Sequence, residues 1–389
     1  MSGQCWSCGQ PDPQPFFRLK SIPISSCVLL NSRDEALAFP TGDLELAFCD
    51  GCGFIQNGLF DPSLLDYSQD YEESQGFSPT FGAFAQGLVD RLIERYGIRR
   101  KKVFEVGCGK GDFLSLICKS GDNVGLGIDP GYREGRLDST IDATVIQEFF
   151  TEPAPELTGD LICCRHTLEH IQPVGEFVDL IRRSAEQQAG SVVFFEVPDT
   201  ARILREGAFW DVYYEHCSYF TLGSLGRLFR AAGFDPLSLR AGYDDQYLLL
   251  EAEVRDGEPA DDVPGENDLD EVRLGVRSFA SATETAIADW EGRLEKAKAA
   301  SKKVIIWGAS SKGVAFLTSL RNGDLVEYAV DINPYKQGRF LPGAGQEIVG
   351  PDFLEGYGPD LVIPMNPIYV EEIRSDLARR GLTPEIVAV

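Results

Sequence analysis

The stretch from Val103 to Asp112, V-F-E-V-G-C-G-K-G-D, limits what this chain can fold into more than any other part of it. Its first residues read as a short buried strand, and Phe113-Leu114-Ser115-Leu116-Ile117 reads as the start of a helix. Between them stand Gly107, Gly109 and Gly111. Glycine turns the backbone through positive φ and lets a ligand approach the main chain closely. A glycine-rich turn between a parallel strand and a helix is the usual nucleotide-binding corner of an open α/β sheet. The third glycine comes one residue too early for the dinucleotide pattern G-x-G-x-x-G. Asn123 to Ile128 reads as a second strand ending at Asp129. An acidic residue at that place, about twenty residues after the corner, commonly holds ribose hydroxyls.

The motif E-x-G-x-G-x-G resembles the first motif of class I S-adenosylmethionine (SAM) methyltransferases. Asp160 to His166 reads as a fourth strand, and the T-L-E-H-I after it resembles the segment at the same place in many such enzymes. The resemblance implies a cofactor held by Glu105, Gly107, Gly109, Gly111, Asp129 and Arg165, with Gln147, Glu148 and Phe149 where the adenine falls. For His166 and His170 a helix-start role suffices.

Ahead of this unit lie Cys5-Trp6-Ser7-Cys8-Gly9 and Cys49-Asp50-Gly51-Cys52-Gly53. Glycine after each C-x-x-C permits the tight turn that aims backbone amides at thiolates. Two such knuckles with β-like segments between them read as a structural zinc ribbon on Cys5, Cys8, Cys49 and Cys52. A redox C-x-x-C opens a helix in a βαβ unit, which neither pair does. The remaining cysteines of the ten fall mostly in apolar runs, as small buried residues.

With 61 acidic against 36 basic residues the net charge is −25, which argues against nucleic acid or an anionic membrane as partner. No charged-then-apolar leader and no apolar run of about 18 residues occurs, so a soluble cytoplasmic protein is expected, as monomer or homodimer. The fold class expected is α/β: a Rossmann-like SAM sheet flanked by a zinc ribbon and a second Rossmann-like unit. Residues 1–65 are assigned to the zinc domain, 66–254 to the SAM domain, 255–300 to an acidic linker and long helix, and 301–389 to the last domain. Within the connector before the first helix, Tyr67 and Tyr71 are placed to line a substrate pocket or simply to pack. Glu251 to Glu271 reads as a solvated linker, and Val276, Phe279, Thr283, Ile287, Trp290, Leu294 and Ala297 then form one apolar helical stripe, to pack on the chain's own domains or on a second subunit. The second glycine corner, Gly308-Ala309-Ser310-Ser311-Lys312-Gly313 with Asp331 after the next strand, is expected to be structural.

The whole chain resembles the three-domain nucleotide-sugar C-methyltransferases of deoxysugar biosynthesis. The likeness rests on the four cysteines, on Y-Y-E-H-C-S-Y-F from Tyr213 to Phe220, and on D-I-N-P-Y-K-Q-G with L-P-G near the end. It implies methylation of a sugar carbon next to a ketone, with His216 as base supported by Tyr213 and Glu215. The family loop often reads G-S-N-D-G where this one reads G-C-G-K-G, and Tyr214 and Cys217 also depart from the pattern, which bears on the substrate more than on the reaction. The competing readings are an O- or N-methyltransferase of small molecules and a non-catalytic SAM and zinc-ribbon binding protein.

Overall fold

A computed structural model describes residues 3–65 and 71–389. Near the N-terminus, β1 (Gln14–Pro23), β2 (Thr41–Phe48) and β3 (Ile55–Asn57) pair antiparallel. Two tight loops flank them. In each, the first cysteine's carbonyl accepts the amide of the glycine after the knuckle, Gly9 to Cys5 at 2.9 Å and Gly53 to Cys49 at 2.8 Å.

After the helix Pro79–Tyr96, the central sheet is built from β4 (Lys102–Val106), β5 (Val124–Ile128), β6 (Asp142–Ile146), β7 (Leu161–Arg165) and β8 (Val192–Pro198), all parallel. A two-residue strand, β9 (Ser218–Tyr219), then leaves this sheet, and β10 (Phe234–Gly242) and β11 (Tyr247–Val254) return as an antiparallel hairpin on its edge. The order is β10-β11-β8-β7-β4-β5-β6. The middle strands read as continuous apolar runs because helices cover both faces, and Phe104, Ile162 and Phe195 are fully buried. β9 belongs elsewhere: it pairs with β3 and completes the N-terminal sheet in the order β1-β2-β3-β9.

The third sheet comprises β12 (Val304–Trp307), β13 (Tyr328–Val330), β14 (Glu347–Val349), β15 (Leu361–Pro364) and β16 (Glu385–Ile386), in the order β14-β13-β12-β15-β16. That is the order of the five parallel strands of the central sheet. The helix Leu269–Ala299 ties the units together: Phe279 meets Phe17 with ring centroids 4.9 Å apart, and Trp290 meets Phe316 at 5.2 Å. The apolar stripe therefore packs on the chain's own domains.

The acidic stretch is exposed over residues 256–262, as a solvated linker should be, but its two ends are not. Glu251 is buried in β11, where Arg91 holds it at 2.8 Å and the Tyr96 hydroxyl donates at 2.6 Å. Glu266 is buried against Arg230 at 3.0 Å, and Asp268 pairs with Arg227 at 2.9 Å. Arginines from distant helices neutralise these carboxylates, a pairing that local charge density does not reveal. Among the described residues no helix is long and apolar enough to cross a membrane.

Candidate functional site

The carboxyl ends of the parallel strands in both large sheets open into one cavity of about 900 Å³. On the central side, Gly107 sits at φ 69° and Gly109 at φ 54°. A Cβ on Gly107 would stand 2.0 Å from Thr167 Oγ1, so no other residue fits there. The Gly109 amide donates to Asp129 Oδ2 at 2.8 Å and the Gly131 amide to Oδ1 at 2.7 Å. Each carboxylate oxygen keeps a second lone pair for a ligand hydroxyl. Glu105, at the end of β4, is 3% exposed, and its Oε2 has no hydrogen-bond partner. Burial, partly opposed by Arg165, pushes its carboxyl up to about 8.

The third sheet repeats this wiring. The Ala309 amide donates to Asp331 Oδ2 at 3.0 Å and the Asn333 amide to Oδ1 at 2.9 Å. Here Lys336, buried, stands 3.6 Å from Asp331 and donates to Ser310 Oγ at 2.5 Å. Lys312 reaches across to the central unit and donates to Asp211 at 3.0 Å and Gln246 at 3.2 Å. Tyr71, Glu73 and Gln75 of the connector also line the cavity. Tyr67 lies outside the described residues.

The aromatic segment forms the remaining wall. His216 is 9% exposed, lies edge-on to Tyr213 with centroids 4.4 Å apart, and meets His170 at 4.7 Å. Burial first, then the fields of His170 and His166, hold its imidazole well below the usual 6.5, so it is neutral near pH 7. Burial pushes the Tyr213 phenol far above its usual range, keeping it a proton donor. Glu215, 1% exposed, turns away: its carboxylate accepts from Ser25 Oγ at 3.2 Å, from the Ser26 amide at 3.0 Å and from the Ser26 hydroxyl.

Of the residues singled out in the sequence, Glu105, Gly107, Gly109, Asp129, Glu148, Phe149, Arg165, Tyr213 and His216 face the cavity. Gly111 stands off the wall and starts the helix Asp112–Gly121. Gln147 also stands off and donates to the Pro130 carbonyl at 3.4 Å. Arg165 is anchored in the floor by Glu196 at 2.6 Å and lies over the Phe113 ring at 4.2 Å. Glu73, Glu169 and Lys312 line the cavity, and Glu196 holds Arg165 and His166 from behind it. Glu169 lies in the T-L-E-H-I segment and Lys312 in the second glycine corner, whereas Glu73 and Glu196 read as ordinary connector and strand residues.

The four cysteine sulfurs of the N-terminal knuckles lie within 4.8 Å of one another. Cys5 and Cys52 are 3.6 Å apart, as are Cys8 and Cys49, far beyond disulfide length. Tetrahedral zinc with sulfur near 2.3 Å spaces its ligands about 3.8 Å apart, so the cluster fits that ion.

Residues 81–239 match a family model described as a methyltransferase domain, and residues 266–381 match one described as a C-methyltransferase C-terminal domain. Over 387 residues, spanning 95% of this chain and 91% of the relative, the sequence is 27% identical to C-methyltransferase NovU of Streptomyces niveus. Among solved structures, the chain is similar to 1,6-didemethyltoxoflavin-N1-methyltransferase of Burkholderia thailandensis with S-adenosylhomocysteine bound. That match is 16% identical, covers 46% of this chain and 82% of the other, and has a TM-score of 0.36. Magnesium protoporphyrin IX methyltransferase of Synechocystis PCC 6803 matches at 14% identity over 48% of this chain and 91% of the other, with a TM-score of 0.37.

Proposed function

We propose that this chain, which is a SAM-dependent C-methyltransferase, methylates a nucleotide-linked keto-deoxysugar at a carbon next to the ketone. The observation that carries the reading is a neutral buried histidine, His216, edge-on to a neutral phenol, Tyr213, in a cavity walled by both glycine corners. A neutral imidazole takes a proton from a hydroxyl or from a carbon acid alike; the phenol beside it, a donor for a developing enolate oxygen, favours the carbon acid. A carbon becomes nucleophilic only when a proton α to a carbonyl leaves.

His216 takes that proton. The C–H electron pair becomes the C=C bond and the carbonyl π pair moves to oxygen, where the Tyr213 hydroxyl donates. SAM would supply the electrophilic methyl: the enolate C=C pair would form the new carbon–carbon bond as the carbonyl re-forms, and the S–CH3 pair would stay on sulfur. Its fit to the central corner rests on the glycine cradle, on the orphaned Oε2 of Glu105 beside it and on the open lone pairs of Asp129. Glu148 and Phe149 lie on the same side of the cavity, where an adenine would lie.

Residues 1–65 serve as a zinc domain, 66–254 as the SAM domain and 301–389 as the last Rossmann-like domain, joined by 255–300. The zinc is structural, since four thiolates leave no open coordination position. Four thiolates on zinc and six buried cysteines outside any disulfide suit a reducing, cytoplasmic setting.

The test is incubation with SAM and a panel of nucleoside-diphosphate 4-keto-6-deoxyhexoses, followed by mass spectrometry and carbon NMR of the product. A methyl group on ring carbon is expected. Methylation on oxygen or nitrogen only would overturn the reading.

A further inference from the structure

A second histidine faces the same cavity and is built into the opposite charge state. His166 follows β7 directly and adopts φ 49°, a left-handed conformation that a β-carbon makes costly. Such strain persists only where the surroundings fix it. Here its Nε2 meets Glu196 Oε1 at 3.1 Å, and its ring lies edge-on to Tyr247 with centroids 4.5 Å apart. Its Nδ1 faces Glu169 Oε1 at 3.6 Å, a longer and weaker contact than the one to Glu196. A substrate oxygen would compete with Glu169 for that N–H. Arg165 shares Glu196 from the other side at 2.6 Å, so the imidazole does not neutralise two carboxylates alone.

We propose that His166 is a second catalytic imidazole, a cationic donor that takes up the negative charge on the enolate oxygen while His216 removes the proton. The proposal rests on the C-methylation reading and deepens it. Burial alone would lower the His166 imidazole, but the carboxylates of Glu196 and then Glu169 outweigh burial and hold it up at about 9. His216, in the same cavity, is held well below 6.5, in part by His166 itself. Two groups of one type, driven apart in this way, divide into acid and base. The C–H pair enters the new C=C bond, the displaced π pair rests on oxygen between the Tyr213 hydroxyl and the Nδ1 hydrogen of His166, and the proton stays on His216. No further reagent is needed until the methyl arrives. The ionisable groups facing His166 are Glu196 on β8, Glu169 on the turn after β7, Arg165 on its own strand, Tyr247 on β11 and His216.

The experiment uses the full-length protein with S-adenosylhomocysteine and a nucleoside-diphosphate 4-keto-6-deoxyhexose in deuterated water, reading exchange at the ring carbon against pH. Wild type is expected to lose exchange as pH rises past about 9, where His166 gives up its charge. His166→Gln is expected to slow exchange and kcat on the order of 10²-fold, the usual cost of one oxyanion donor. It should also abolish the alkaline limb and leave calorimetric SAM affinity and Tm near wild type. A purely structural role would lower Tm and leave the limb in place. Exchange at the wild-type rate in the variant, or a wild-type profile without an alkaline limb near that pH, overturns the proposal. Should the variant not fold, the wild-type profile alone decides. Wild type that neither exchanges nor C-methylates any sugar of the panel sinks the C-methylation reading itself, and the assignment of His166 with it. Exchange that is normal in wild type and unaltered by His166→Gln sinks only the latter.

Discussion

Glu215 and His216 are neighbours in sequence and face opposite ways: the carboxylate is bound by Ser25 and Ser26 of the N-terminal unit, while the imidazole faces the reaction cavity. We read the carboxylate as a positioning group. It fixes the backbone from which His216 projects, and the Ser26 hydroxyl that holds it also bonds Ser311 of the third sheet at 2.7 Å. Glu215→Ala leaves three donors without their acceptor. A loss of about 2–3 kcal/mol of stability is expected, typical of hydrogen bonds to a buried charge, and is read by denaturant unfolding. Solvent exchange catalysed by the surviving folded fraction should persist.

His216→Asn behaves in the reverse sense. Turnover falls on the order of 10²–10⁴-fold, as for loss of a general base, while SAM affinity measured by calorimetry stays near wild type, because the proposed cofactor contacts lie on other loops. Near-wild-type methylation by this variant would move the base elsewhere.

The pH profile follows from the sign of the His216 shift. The base must be neutral, and its folded value lies below the ordinary 6.5. The rate should therefore stay level as pH falls through 6.5 and decline only below it, as read from kcat/KM against pH. An acid limb at 6.5 or above assigns the proton to another group.

At the cofactor corner, Asp129→Ala removes the acceptor for the Gly109 and Gly131 amides as well as the proposed ribose contact. A weakening of SAM binding by about 1–3 kcal/mol is expected. Unchanged affinity by calorimetry refutes the ribose assignment. Asp331→Ala, the same change in the third sheet, should leave SAM affinity unaltered.

The metal prediction is stoichiometric. Freshly purified protein should carry about one zinc per chain by elemental analysis, and Cys49→Ser should lose it and melt earlier. Structural zinc contributes on the order of 10–16 kcal/mol in small finger peptides. Zinc-free wild type would refute the assignment.

What could be read in the sequence was local. Gly107, Asp129 and the paired knuckles each announce themselves within a few residues, because backbone conformation and ligand spacing leave short signatures. Glu196 sits in V-F-F-E-V, which reads as plain buried strand, and its role appears only when β7 brings Arg165 and His166 beside it. The partners of Glu215 lie about 190 residues away, and no periodicity links them. The cavity itself depends on two sheets converging, which no motif in either corner encodes. For the same reason the two ends of the acidic stretch looked as solvated as its exposed middle: their arginines come from other elements.

The pairing of β9 with β3 has a practical outcome. Asn57 donates to the Cys217 carbonyl at 2.9 Å, one residue past His216, and β3 follows directly from the second cysteine knuckle. Stripping the proposed zinc from the four thiolates would slacken the very strand that anchors the histidine, and Arg227, which grips the Cys52 carbonyl at 2.9 Å, would lose its hold as well. Chelators should thus inactivate the protein slowly and in step with loosening of the N-terminal sheet. Judged by inhibition alone, a tether would be mistaken for a reagent.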